Sequence, residues 1–146
     1  MEARLFPHSK RGGFDDKEDL RNWLDRDLRD RNGMYALAKL YDVPLDSLAL
    51  FMMERTIVGC AVVREAAHKM TEEERKWRAQ HQLEGDWRAV MWLDPSTIWV
   101  WRSEQDVGLA EAGIQFRPGP PMPLTAQQVL SIFRLVAQRS GQRPGR

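Results

Sequence analysis

The sequence has a single cysteine, Cys60, in 146 residues. That excludes a disulfide framework and any cysteine-based zinc cluster. It also has no apolar run near the roughly 18 to 20 residues that would cross a membrane. The opening residues 1–7 lack the apolar stretch of a secretory signal. These absences lead us to expect a soluble, cytoplasmic protein with no membrane contact. Net charge is nearly missing as well: 22 basic side chains face 21 acidic ones, for a total of +1. A histone-like polycation is therefore excluded, although a local basic face is not. Acidic residues stop at Glu111, while Arg117, Arg134, Arg139, Arg143 and Arg146 follow.

Catalytic signatures are missing too. His8, His68 and His81 are scattered, with no His-x-x-x-His pair to begin a metal site. No Gly-x-Ser-x-Gly elbow occurs. Arg11-Gly12-Gly13 is too short for a phosphate-cradling loop, and no strand is expected before it. Glu74-Arg75-Lys76 spells the Glu-x-Lys of many nucleases. That chemistry needs a strand beside a second acid, and the segment reads as helix. Cys60 sits among Val and Ala, the setting of an inert core thiol. The expectation is a protein that is not an enzyme, with no cofactor and no metal.

What is present is a 42% hydrophobic chain of one domain's length, with six tryptophans. The domain is expected over 1–138, followed by a disordered basic tail over 139–146. Residues 15–31 read as a helix capped by Asp15 or Asp16, with Leu20, Trp23, Leu24 and Leu28 on one face. By this reading Trp23 belongs to the core. Leu48 to Met53 is a continuous apolar strand, Glu54-Arg55 a two-residue turn, and Thr56 to Glu65 a β-branched partner strand. Gly59 inside that strand marks a bulge, a sharp bend or the close approach of another backbone. Thr71-Glu72-Glu73-Glu74 is a capping box opening a short helix to about Gln82. Trp87 to Leu93 and Thr97 to Trp101 read as strands, and Trp99 and Trp101 share a face. Residues 118–123, rich in Pro, read as a connector outside any element. Thr125 and Gln128 open a final helix to about Gln138. The fold class expected is α+β: a small curled antiparallel sheet or partly open β-barrel with flanking helices.

The phrase from Leu48 to Glu65, with Ile57-Val58-Gly59-Cys60-Ala61-Val62-Val63 at its centre, resembles the central hairpin of the PUA-like superfamily. Its EVE and ASCH branches carry a similar apolar strand, short turn and Ile-Val-Gly-x-Ala run. A charged helix, aromatic strands and a capped closing helix follow in the same order. The resemblance implies a PUA-like β-barrel that binds nucleic acid without catalysis and recognises a modified or flipped base in an aromatic pocket. The partner implied is DNA or RNA, modified in some cases. Flat aromatic side chains can restack an extruded base at about 1 to 3 kcal/mol. Trp99, Trp101 and, across the hairpin, Trp92 are the stacking candidates on this reading. Arg64, Lys39, Lys10 and Arg11 are the candidates for phosphate contacts. The alternative is an interaction barrel for a protein partner or small molecule, with the tryptophan face as its surface.

Overall fold

The structure is a computed structural model and describes residues 1–140. The first strand, β1 (Ala3–His8), precedes the long helix and was not expected from the sequence. Its Pro7 breaks the β pattern there, yet Phe6 and Pro7 still pair with Phe51 and Met52. The helix α1 runs over 17–30, with Asp16 accepting from the Asp19 amide at its start. Its middle, Trp23–Asp27, opens into a π turn. Leu20, Leu24 and Leu28 on α1 are fully buried. The ambiguous segment after it becomes β2 (Met34–Leu37).

The expected hairpin forms from β3 (Leu48–Met53) and β4 (Thr56–Lys69). Every residue of β3 is buried, because both faces of the sheet are covered here. Ala49, Phe51 and Met53 face the α1 side, and Leu48, Leu50 and Met52 face the other. Helix α2 (Glu72–Gln80) begins with the capping box in place: Thr71 and Glu74 exchange side-chain and backbone hydrogen bonds. Then come β5 (Ala89–Leu93), β6 (Trp99–Val100), β7 (Val107–Gly108), β8 (Met122–Leu124) and α3 (Ala126–Ser140). The path through the sheet is β2-β5-β4-β3-β1-β8, with β6 and β7 on β4. β4 bridges the parts: its first half meets β3, β6 and β7, and its bulged second half meets β5. The result is an α+β fold around a partly open sheet.

Three local expectations need correcting. The sheet is mixed, since β1 and β3 run parallel. The Pro-rich stretch is not all connector: Met122 and Pro123 belong to β8, paired with β1 at the sheet edge. An edge strand has one unpaired side, where the missing proline N–H costs nothing. Residues 139 and 140, expected in the tail, close α3 instead. Arg139 pairs there with Glu111, the last acid of the chain. The rest of the expected tail, residues 141–146, lies outside the described residues.

Gly59 performs the close approach expected of it. A Cβ there would stand 2.7 Å from the Trp99 carbonyl oxygen. That absence of a side chain lets β6 lie against β4, with Gly59 opposite Val100 and Cys60 opposite Trp99.

Candidate functional site

The sequence-derived candidates fall into separate places. Trp99 and Trp101 do come together, with ring centroids 5.9 Å apart. Their common face, however, meets helix α3. Phe133 lies 6.2 Å from Trp99 in a stacked arrangement and 6.3 Å from Trp101 edge-on. Trp101 is 1% exposed and Trp99 is 44% exposed. Trp101 is thus walled into the core, its Nε1 without a hydrogen-bond partner among the described residues. Trp92 does not join them. β5 pairs with β2 and β4 rather than with β6, so Trp92 sits opposite Met34 and Glu65. There its Nε1 donates to Glu74 Oε2 at 2.6 Å. Arg64 does lie near Trp92, its guanidinium carbon 5.5 Å from the ring centre, and it donates to the Asn32 carbonyl. Lys10, Arg11 and Lys39 are all exposed.

A different cluster of aromatic side chains surrounds a cavity of about 440 Å³. Its walls come from β1 and the turn after it, from α1, from β2 and the loop following, from the end of α2 with its loop, and from Gly119 and Pro121 before β8. Phe14, Trp23, Tyr35, Tyr41 and Trp87 are among the lining residues. Phe14 meets Trp23 edge-on at 5.6 Å, and Trp23 meets Tyr35 edge-on at 5.9 Å. Trp23 was expected in the core. It is only half-buried, at the start of the π turn, where the widened helix leaves it at the cavity wall. Lys10, Arg11 and Lys39 flank this cavity in sequence, since Ser9, Gly12 and Ala38 line it.

The polar groups of the cavity are arranged in two sets. The first is closed on itself. Tyr35 Oη and His8 Nε2 are 2.8 Å apart, and His8 Nδ1 is 3.3 Å from the Met52 carbonyl. A carbonyl only accepts, so Nδ1 carries the proton and Nε2 accepts from the tyrosine. Burial holds the His8 pKa down, at about 4, against the opposing pull of the Met52 and Phe6 carbonyls. Burial also raises the Tyr35 hydroxyl well above its ordinary value. Both groups are therefore neutral at physiological pH.

The second set is cationic. Arg78 is 6% exposed and lines the cavity from the last turn of α2. It donates to the Glu84 carbonyl at 2.7 Å and points a second N–H at Met34 Sδ, 3.8 Å away. Arg31, just past the end of α1, lies with its guanidinium carbon 5.5 Å from the Trp23 ring centre. Neither arginine pairs with a carboxylate among the described residues. Burial, then repulsion from Arg31, pulls the Arg78 pKa below its usual value. A guanidinium remains charged regardless.

None of these lining aromatics or arginines was a site candidate in the sequence. They come from four segments between Phe14 and Trp87, and no local spacing links them. The nearest signals were Trp23 on a helix stripe and Arg78 next to Trp77. Trp77 itself faces elsewhere, stacked on His81 at 4.0 Å and edge-on to Trp92 at 5.6 Å. It docks α2 on the sheet. Among the described residues no group of three His, Cys, Asp or Glu side chains stands where it could hold a metal ion. Among the described residues no helix is long and apolar enough to cross a membrane.

No protein-family model matches this sequence. No curated protein matches it either. Among solved structures, the chain is similar to the YTH domain of the Zygosaccharomyces rouxii MRB1 protein, crystallised in complex with N6-methyladenosine RNA. The identity is 14% and the TM-score 0.48, over 92% of this chain and 86% of that one.

Proposed function

We propose that this chain is a non-catalytic PUA-like domain that binds nucleic acid and takes one unstacked base, plain or modified, into the aromatic cavity. The observation that carries this reading is the cavity itself: about 440 Å³, walled by Trp23, Tyr35, Phe14, Tyr41 and Trp87. A purine or pyrimidine ring is flat and apolar on both faces, so it can stack on such walls at about 1 to 3 kcal/mol per base. Removing a base from its own stack costs a few kcal/mol, least in a single strand. A single-stranded partner is therefore favoured over a duplex. His8 and Tyr35 satisfy one another and stay neutral, so that side of the cavity adds no charge that would repel or trap a neutral ring.

The test is tryptophan fluorescence during titration with short single- and double-stranded oligonucleotides, plain and methylated, at low and moderate salt. Single strands are expected to quench the emission. Trp23→Ala and Trp87→Ala should weaken binding about tenfold or more, and Trp99→Ala should leave it unchanged. No quenching by any oligonucleotide at low salt would overturn the reading. Loss of binding in Trp99→Ala alone would move the site to the α3 face.

A second reading rests on that face. Trp99 is 44% exposed and Leu130 on α3 is 50% exposed. A protein partner docking there would give a complex insensitive to salt and unaffected by Trp23→Ala.

A further inference from the structure

We infer that the cavity contains an anion subsite built by Arg78 and Arg31, so that its ligand is a nucleotide held by base and phosphate together. The inference rests on the base-pocket reading above and adds the charge of the ligand. Arg78 is more than nine-tenths buried at the cavity, and its hydrogen bonds go to one backbone carbonyl and one thioether sulfur. A guanidinium has five N–H donors, and buried donors are normally satisfied. A buried charge is normally paired as well. Here the second charge nearby is another arginine, whose repulsion already bears on Arg78. Glu84, an acid among the lining residues, is exposed, and its carboxylate pairs with neither arginine.

Arg78 is a buried guanidinium without a carboxylate, and the half-exposed Arg31 adds a second positive charge to the same cavity, which is unfavourable without a ligand. An anion that enters takes the guanidinium N–H groups left over from those two bonds and relieves the repulsion. A phosphate suits this best, since its oxygens can take parallel N–H bonds from a guanidinium fork. A neutral base edge would satisfy donors without neutralising charge. The aromatic walls and the paired arginines therefore select a flat ring carrying a phosphate. Arg31 lies over Trp23, which puts the cationic end of the subsite beside a stacking wall.

The experiment compares nucleosides with their 5′-monophosphates by tryptophan fluorescence and calorimetry on the full chain. Inorganic phosphate serves as competitor. The monophosphate is expected to bind at least tenfold more tightly than the nucleoside, about the worth of one charge-assisted hydrogen bond. Arg31→Ala and Arg78→Lys should each cut that advantage to threefold or less while leaving nucleoside affinity within about twofold. Arg78→Lys could disturb the loop that Arg78 holds through Glu84. Arg31 makes no such bond, so Arg31→Ala keeps the test valid if the lysine variant fails to fold. A dinucleoside monophosphate with only an internal phosphate separates the two sources. If it binds like the monophosphate, the subsite takes a strand phosphate. If it binds like the nucleoside, the subsite takes a free nucleotide. Both outcomes support an anion subsite. Equal affinity for nucleoside and monophosphate, or an undiminished advantage in Arg31→Ala, would overturn it and leave the base pocket standing. No binding of nucleoside, nucleotide or oligonucleotide would remove the base pocket as well.

Discussion

His8 shows how one residue links the cavity to the stability of the chain. Folding moves its pKa from 6.5 down to about 4, because burial disfavours the imidazolium. Between those values the unfolded chain binds more protons than the folded one, so stability rises with pH across that window. The contribution is complete above about pH 6.5 and is lost as pH falls towards 4. Its size is about 3 kcal/mol as an upper figure. His68 acts in the opposite sense. Burial opposes its proton, but the Ala66 carbonyl and the Glu74 carboxylate favour it, and its pKa is raised. His68 is common to the wild type and a His8→Gln variant, so their difference isolates His8. Urea unfolding between pH 4.5 and 7.5 should show a shallower pH dependence for His8→Gln. Identical slopes would mean that His8 is not held neutral. Gly59 gives a second residue-scale expectation. A Cβ there meets the Trp99 carbonyl at 2.7 Å and Val100 Cα at 3.3 Å, both backbone. Gly59→Ala should therefore cost about 1 to 3 kcal/mol in denaturant unfolding. A cost below about 0.5 kcal/mol would show that β6 is free to shift.

At the scale of elements, the β3–β4 hairpin carries a strain that its position explains. Glu54 and Arg55 both have left-handed backbone, with φ of 53° and 59°. Two-residue hairpin turns of this kind match the twist of the strands, which is why they favour Asn-Gly. A residue with a Cβ pays about 1 kcal/mol or more in that conformation. Replacing Glu54-Arg55 with Asn-Gly should raise stability by about 1 to 2 kcal/mol with no change in ligand binding. A loss of stability instead would mean that the two side chains support the turn by contacts of their own. Packing overrides the local preference here: β3 is buried from end to end, so the register is held by the core and the turn must follow. Helix α1 illustrates the reverse case, where the element bends to the site. Its Leu20, Leu24 and Leu28 stripe anchors it firmly. The π turn between them then leaves Trp23 at the cavity wall.

For the whole molecule, a net charge of +1 implies that binding cannot come from a broad electrostatic field. Only a few phosphates should be contacted. If Arg31 and Arg78 together hold one phosphate, the slope of log affinity against log salt for a single strand should lie at about −0.7, from about 0.7 per phosphate. A slope steeper than about −4 would mean that a wider basic surface dominates. Filter binding between 50 and 300 mM salt would measure it.

Much of the architecture was legible in order and type. Hairpin, capped helices and closing helix follow from local rules: alternation, cap residues and a two-residue turn act over a few positions. The reading of Gly59 was local too, since a glycine inside a β-branched run has few other uses. The sequence alone also determined that the chain has no polycationic character and no disulfides. It did not show which strands are neighbours. β1 joins β3 in parallel and β5 turns away from β6, because burial on both sheet faces outweighs proximity in sequence. Those pairings decided which tryptophans face solvent. Trp101 was sealed under Phe133 and Trp92 turned towards Glu74, while Trp23 and Trp87, from helix and loop, came to line the cavity. Arg78 could be read as a surface charge on a short helix; only the packing of α2 buried it beside Arg31. A site assembled from five separate segments has no spacing to read, since long-range packing alone brings those segments together.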